Sequence, residues 1–176
     1  NVSDDIAEAL MRGVVRDLRA AVQKPEDYTA RSNLMWEATM AENRVIKLGK
    51  QTDFQAHMME HQLGAYTDCN HGLGLAVLHP AYYRYICEKG ITKFARFATR
   101  VWDVPADGKT EIELAHAGVE ALADFIQELG MPTTLRELGV TELTPMKELA
   151  DSVPLTPGSY GKLTHEDVLH IFEACY

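Results

Sequence analysis

Apolar residues recur along this chain at the three-and-four spacing of helices from one end to the other. Ile6, Leu10, Val14, Leu18 and Val22 fall four apart, with Met11 and Val15 beside them, and predict an amphipathic helix ending near Gln23. Ser3 is its expected N-cap, with Asp4 and Asp5 in the first turn, where they complement the macrodipole. Pro25 suits the first position of a second helix. That helix carries Leu34, Met35, Trp36, Met40, Val45, Ile46 and Leu48 to a stop at Gly49, and its methionines and Trp36 are expected in the core. From Asp53, an expected N-cap, to Tyr66 the chain has no proline and one interior glycine, so a third helix follows. It is apolar on several sides (Phe54, Met58, Met59, Leu63, Tyr66), as a central, buried helix is. A turn over Thr67, Asp68, Cys69 and Asn70 comes next, with Asn70 capping a helix that starts at His71. Gly72 and Gly74 there permit close approach of a neighbouring helix or ligand, and Pro80 predicts a kink or break.

Phe94, Phe97, Ala98 and Val101 predict another amphipathic helix over 91–102. Residues 103–109, with Pro105 and Gly108, read as a loop. Thr110 and Glu113 form a capping box opening a long helix, with Leu114, Gly118, Val119, Leu122, Phe125, Ile126 and Leu129 on one broad face. Gly130 and Pro132 end it. Thr134 and Glu137 repeat the capping box for a single turn closed by Gly139. Thr144-Pro145 opens a short helix to about Ser152, 154–161 is loop, and Thr164 caps a last helix. No segment alternates as a strand does and no repeat is evident, so the expectation is one all-α domain over 1–176.

Composition narrows the function. A net charge of −9, with Lys and Arg scattered among acids, argues against a nucleic-acid surface. The longest apolar run, Leu73 to Leu78, is far too short to span a bilayer. The acidic, amphipathic N-terminus does not read as a signal peptide. Cys69, Cys87 and Cys175 are odd in number and form no C-x-x-C, which suits a reducing, cytoplasmic setting rather than a disulfide framework. Gly72 and Gly74 are not a dinucleotide fingerprint, because Leu75, Ala76 and Val77 follow with no third glycine.

The candidate chemistry is concentrated between His57 and Pro80, which hold four of the seven histidines. His57 and His61 are four apart, so they share a helix face about 6 Å apart along the axis. His71, at the start of the next helix, feels the positive end of its macrodipole, which favours neutral, metal-binding imidazole. Two nitrogens on one face and a third from the next helix would suit a metal. The same spacing also arises where histidines simply pack. His57, Glu60 and His61 fit H-x-x-E-H as well, the inverted zinc-peptidase pattern with Glu60 as base. Cys69, two residues before His71, could offer a thiolate, but a buried or loop thiol is the favoured reading. A non-catalytic helical interaction module is the third reading.

His57, His61, the Leu63-Gly64-Ala65 step, His71-Gly72 and the apolar run to Pro80 together resemble the metal-binding segment of the iron-containing alcohol dehydrogenases, especially the butanol-dehydrogenase-like branch. Pro25-Glu26-Asp27-Tyr28, with Asn33 and Met35-Trp36, resembles the preceding family helix, and Phe97 to Val104 and Leu163 to Ile171 also fit. The resemblance implies the multi-helix C-terminal domain of the iron-containing alcohol dehydrogenase and dehydroquinate synthase-like fold. It further implies a small alcohol or aldehyde substrate, iron(II) (zinc in some relatives), and NAD or NADP held by another domain in a homo-oligomeric full-length enzyme. By position it makes His57 and His71 metal ligands and His61 the catalytic histidine beside them, placed to meet substrate or nicotinamide and assist proton movement. Family members also carry an N-terminal dinucleotide-binding domain and two further ligands, an aspartate and a histidine four apart. No histidine occurs in the first 56 residues, so this chain is expected to be the helical domain alone, and inactive alone. Glu60 is then expected in a structural or surface role, His79 in packing, and His116, His165 and His170 outside the chemistry.

Overall fold

These periodicities become eight α-helices and no strand among the described residues, 1–140, 145–158 and 160–176, of a computed structural model. The helices are α1 (Val2–Gln23), α2 (Tyr28–Glu42), α3 (Gln55–Thr67), α4 (His71–Ile86), α5 (Ile91–Val101), α6 (Glu111–Glu128), α7 (Met146–Ser152) and α8 (His165–Ala174). Short 3₁₀ turns lie at Val45–Lys47 and Cys87–Lys89. Capping boxes at Thr110–Glu113 and Thr164–Asp167 open α6 and α8, and each satisfies backbone donors that a helix start leaves free. Thr144, the expected start of α7, lies outside the described residues.

One core joins α3, α4, α6, α7 and α8. Met59 and Leu63 of α3 meet Val77 and Leu78 of α4, Val119 of α6, Leu149 of α7, and Val168 and Phe172 of α8, all buried. Gln55, 1% exposed, is tolerated there because its amide is satisfied. It donates to the Pro154 carbonyl at 3.3 Å and accepts from the Thr156 backbone N–H at 2.8 Å. A second, smaller cluster of Ala95, Ala98 and Leu114 lies between α5 and α6, where small side chains and Gly118 let the two backbones approach closely.

The outer layer is held differently. In α1 only Gly13 and Asp17 are buried. Its charged residues grip the neighbours instead. Asp4 takes Lys50 at 2.8 Å and Lys93 at 2.5 Å, Arg96 reaches Asp5 at 3.0 Å and Glu8 at 2.7 Å, and Arg19 pairs with Glu128 at 2.7 Å. The two lysines and the N-terminal amine hold the Asp4 carboxyl well below the usual carboxylate range.

Five expectations are corrected here. Asn1, not Ser3, caps α1: its side chain accepts from Asp4 N at 3.1 Å, while the Ser3 hydroxyl donates to the Leu48 carbonyl at 2.8 Å. The second helix starts at Tyr28, capped by Asp27, whose carboxylate accepts from Ala30 N, rather than at Pro25. It also ends at Glu42, before Arg44 turns left-handed (φ 70°), and not at Gly49. Trp36 and Met35 are 66% and 75% exposed, and with Tyr28 they line an open groove of about 860 Å³. The helix buries Ala30 and Glu37 instead. Pro80 neither breaks nor ends α4, which runs on to Ile86. A mid-helix proline costs about 3 kcal/mol, but each fully buried apolar side chain contributes about 1.5–3 kcal/mol. Val77, Leu78, Tyr82 and Ile86, all buried on this helix, outweigh it.

Between α1 and α2 lie two buried carboxylic acids, Asp17 and Glu37. Arg16, bonded to Asp17 at 2.6 Å, pulls Asp17 below its usual range. Burial, then the charge of Asp17, pushes Glu37 up, and its Oε2 has no hydrogen-bond partner among the described residues. A raised acid adds stability that is present below its unfolded pKa and lost as pH climbs through its folded one. Asp17 has the opposite sign, contributing above its unfolded pKa. Glu37→Gln, which keeps the shape without the charge, is therefore expected to raise the urea midpoint at pH 8 and leave it unchanged near pH 4. An equal effect at both values would contradict this.

Candidate metal centre

The site is built where α3 and α4 meet. Asp53 Oδ1 accepts from Gln55 N at 2.8 Å, so it serves the start of α3 as expected, although Phe54 occupies the cap position. Its other oxygen accepts from the Tyr82 hydroxyl at 2.6 Å, which pins the start of α3 onto α4. At the far end of α3, Asp68 takes the left-handed conformation (φ 55°), a region Asp tolerates better than most residues. Asn70 then accepts from Leu73 N at 3.2 Å and starts α4 at His71. The expected turn is therefore present, and it returns the chain beside the histidines of α3.

His57, His61 and His71 converge. Ring centroids lie 5.5 Å apart for His57 and His71, 5.4 Å for His61 and His71, and 6.2 Å for His57 and His61. Phe54 stacks on His57 at 4.2 Å with the planes 15° apart, fixing that ring. His57 is half-buried, whereas His61 and His71 are exposed, so the cluster opens to solvent. Burial first, then the neighbouring His71 and His61, pushes His57 below the usual imidazole range. That favours the neutral form a metal needs.

A fourth ring, His79, lies 6.3 Å from His57. Its Nδ1 donates to the Leu75 carbonyl at 2.9 Å, and burial pushes its pKa down. The remaining histidines sit elsewhere: His116 beside Cys87 and Glu88, His165 donating to the Val153 carbonyl at 3.1 Å, and His170 at 3.6 Å from Glu173.

Glu60 is not a surface residue. It is 2% exposed, and its Oε2 is hydrogen-bonded to His71 Nδ1. The Cys69 sulfur lies 4.0 Å from its other oxygen. Sequence spacing could not reveal this, because the partner comes from another helix. The available hint was Gly74, three residues after His71: a Cβ there would fall 2.8 Å from Glu60 Oε1. Glu60, His61 and His71 each bring one potential ligand atom within 4.8 Å of the others.

Three imidazoles and one buried carboxylate, converging where two helices of an all-α unit meet, define a candidate metal-holding domain. The description "Fe-containing alcohol dehydrogenase family, C-terminal" matches residues 1–176. The chain is 37% identical over 177 residues to NADH-dependent butanol dehydrogenase B of Clostridium acetobutylicum, covering 98% of this chain and 45% of that protein. The crystal structure of NADH-dependent butanol dehydrogenase A from Thermotoga maritima superposes with a TM-score of 0.90 at 30% identity, over 99% of this chain and 46% of that one. The aldehyde reductase YqhD from Escherichia coli superposes with a TM-score of 0.89 at 28% identity, again over 99% and 46%. The chain belongs to the iron-containing alcohol dehydrogenase family. It spans about half the length of the curated relatives it matches.

Proposed function

We propose that residues 1–176 form the metal-holding helical domain of a nicotinamide-dependent alcohol dehydrogenase that interconverts small alcohols and aldehydes. The observation that carries this reading is the convergence of His57, His61 and His71 in a chain of this family. The donor set fits: neutral imidazole suits iron(II) or zinc, and a buried carboxylate stands behind one of the rings. His57 and His71 hold the metal, which when bound supplies Lewis-acid polarisation of the substrate oxygen. His61, exposed beside both, holds or passes a proton at its imidazole. Phe54 keeps the His57 ring from turning away. Among the relatives, the butanol dehydrogenases are named NADH-dependent and YqhD NADPH-dependent, and either coenzyme suits this reading.

No glycine-rich phosphate cradle occurs in residues 1–176, so the dinucleotide-binding domain and the remaining ligands belong to polypeptide outside them. No helix of the described residues is long and apolar enough to cross a membrane. The three cysteines are free, and we assign the complete homo-oligomeric enzyme to the cytoplasm. The peptidase reading loses its base, because Glu60 is buried and engaged by His71.

The test compares this chain with the complete gene product, using butanal and NADH or NADPH. The chain alone is expected to oxidise neither coenzyme. The complete enzyme is expected to oxidise one, to lose that activity to a chelator, and to regain it with iron(II) or zinc. Coenzyme oxidation by the chain alone, or a metal-loaded complete enzyme inert with both coenzymes, would overturn the proposal.

A further inference from the structure

We infer that Glu60 is a positioning residue that decides which nitrogen His71 turns outward. The inference rests on the metal-holding reading and deepens it. A carboxylate buried as deeply as Glu60, 2% exposed, demands a hydrogen-bond donor. Its Oε2 meets His71 Nδ1. Because a carboxylate only accepts, Nδ1 must carry the proton, and in the neutral ring Nε2 keeps its lone pair. Nε2 is not the nitrogen that meets Glu60, and His71 is exposed with the His57 and His61 ring centroids 5.5 and 5.4 Å away, so Glu60 leaves the bare nitrogen free for a ligand. The pairing is built into two elements. Glu60 projects from α3 towards the first turn of α4, and Gly74 leaves the room it needs. A Cβ at position 74 would fall 2.9 Å from Glu60 Cγ and 3.3 Å from Cys69 Sγ. Gly64 imposes no such limit, since a Cβ there would lie at an ordinary contact distance of 3.5 Å from Glu60 Oε1. Glu60 therefore supplies His71 with a fixed tautomer and a fixed ring direction, as carboxylates do behind metal-binding histidines.

The tautomer is readable without metal or activity. In the 176-residue chain labelled with ¹⁵N-histidine, long-range ¹H–¹⁵N correlation is expected to show His71 protonated at Nδ1 and bare at Nε2. Glu60→Gln, whose amide oxygen still accepts, should preserve that pattern, and Glu60→Leu should lose it to the Nε2–H form. In the complete enzyme loaded with cobalt(II), Glu60→Leu should release the metal to a competing chelator about 10–100-fold more readily, and Glu60→Gln by a smaller factor. An unchanged His71 pattern in Glu60→Leu would overturn the inference, and so would a wild-type His71 protonated at Nε2. If the leucine variant does not fold, the wild-type tautomer decides, since the inference requires His71 to be protonated at Nδ1. If the pattern behaves as expected while the wild-type complete enzyme binds no cobalt, the metal-holding reading fails instead, and the role of Glu60 towards a metal fails with it.

Discussion

Replacing His71 by alanine in the complete enzyme is expected to remove both metal and turnover, and His57→Ala is expected to do the same. His61→Ala should keep the metal and slow turnover by about two to four orders of magnitude, the usual contribution of one positioned acid or base. The reasoning is geometric. His71 stands at the start of α4 with a carboxylate behind one nitrogen, and His57 is half-buried and held by Phe54, so both present a fixed ring. His61 is exposed, with Phe54 and His57 edge-on to its ring at 6.2 Å and His71 tilted against it at 5.4 Å, as suits a group that must hand on protons. A rival partition exists, because Glu60, His61 and His71 can also bring ligand atoms within 4.8 Å of one another. It predicts that His61→Ala loses the metal while His57→Ala retains it. Metal content by elemental analysis, with turnover measured in parallel, separates the two, and metal loss in His61→Ala with retention in His57→Ala would overturn the assignment.

Gly118→Val is expected to be strongly destabilising although it lies away from the site, costing about 3 kcal/mol. Ordinarily, removing a helix-interior glycine gains up to about 1 kcal/mol. Here the added Cβ would lie 2.9 Å from the Ala98 backbone nitrogen and 3.0 Å from the Phe94 carbonyl oxygen. These are main-chain atoms of α5 and have no rotamer to turn away, so the two helices must separate and the cluster of Ala95, Ala98 and Leu114 opens. At about 2–4 °C per kcal/mol for a chain of this size, the melting temperature should fall by about 6–12 °C. An unchanged melting temperature would show that α5 and α6 can part freely.

Much of this was legible in the chain. Local signals held for the Thr110–Glu113 box, the Asn70 cap, and the return of α4 beside the two histidines of α3, while the starts of α1 and α2 fell two or three residues from the expected positions. The larger corrections turn on partners distant in sequence. Trp36 sits on a helix with apolar residues on several sides, so its sequence does not say which side meets α1, and the buried face proved to be Ala30 and Glu37. Pro80 was expected to interrupt because the local cost of a proline is plain, whereas the burial that offsets it is spread over five helices. Glu60 has the same surroundings in sequence whether it faces solvent or His71. Only the packing of α3 on α4, with Gly74 between, decides.

The charged grip on α1 gives this fold two kinds of adhesion. Pairs such as Asp4 with Lys93 and Arg96 with Asp5 are exposed enough to be screened, and the screening length shrinks from about 10 Å at 0.1 M salt to about 3 Å at 1 M. The apolar burial that joins α3, α4, α6, α7 and α8 feels no such screening, and excluded salts such as sulfate strengthen it. One added salt thus loosens the outermost helix while tightening the interior. Urea and guanidinium chloride differ in the same way, because only the second is an electrolyte, and the order in which the layers come apart follows from which of them is used.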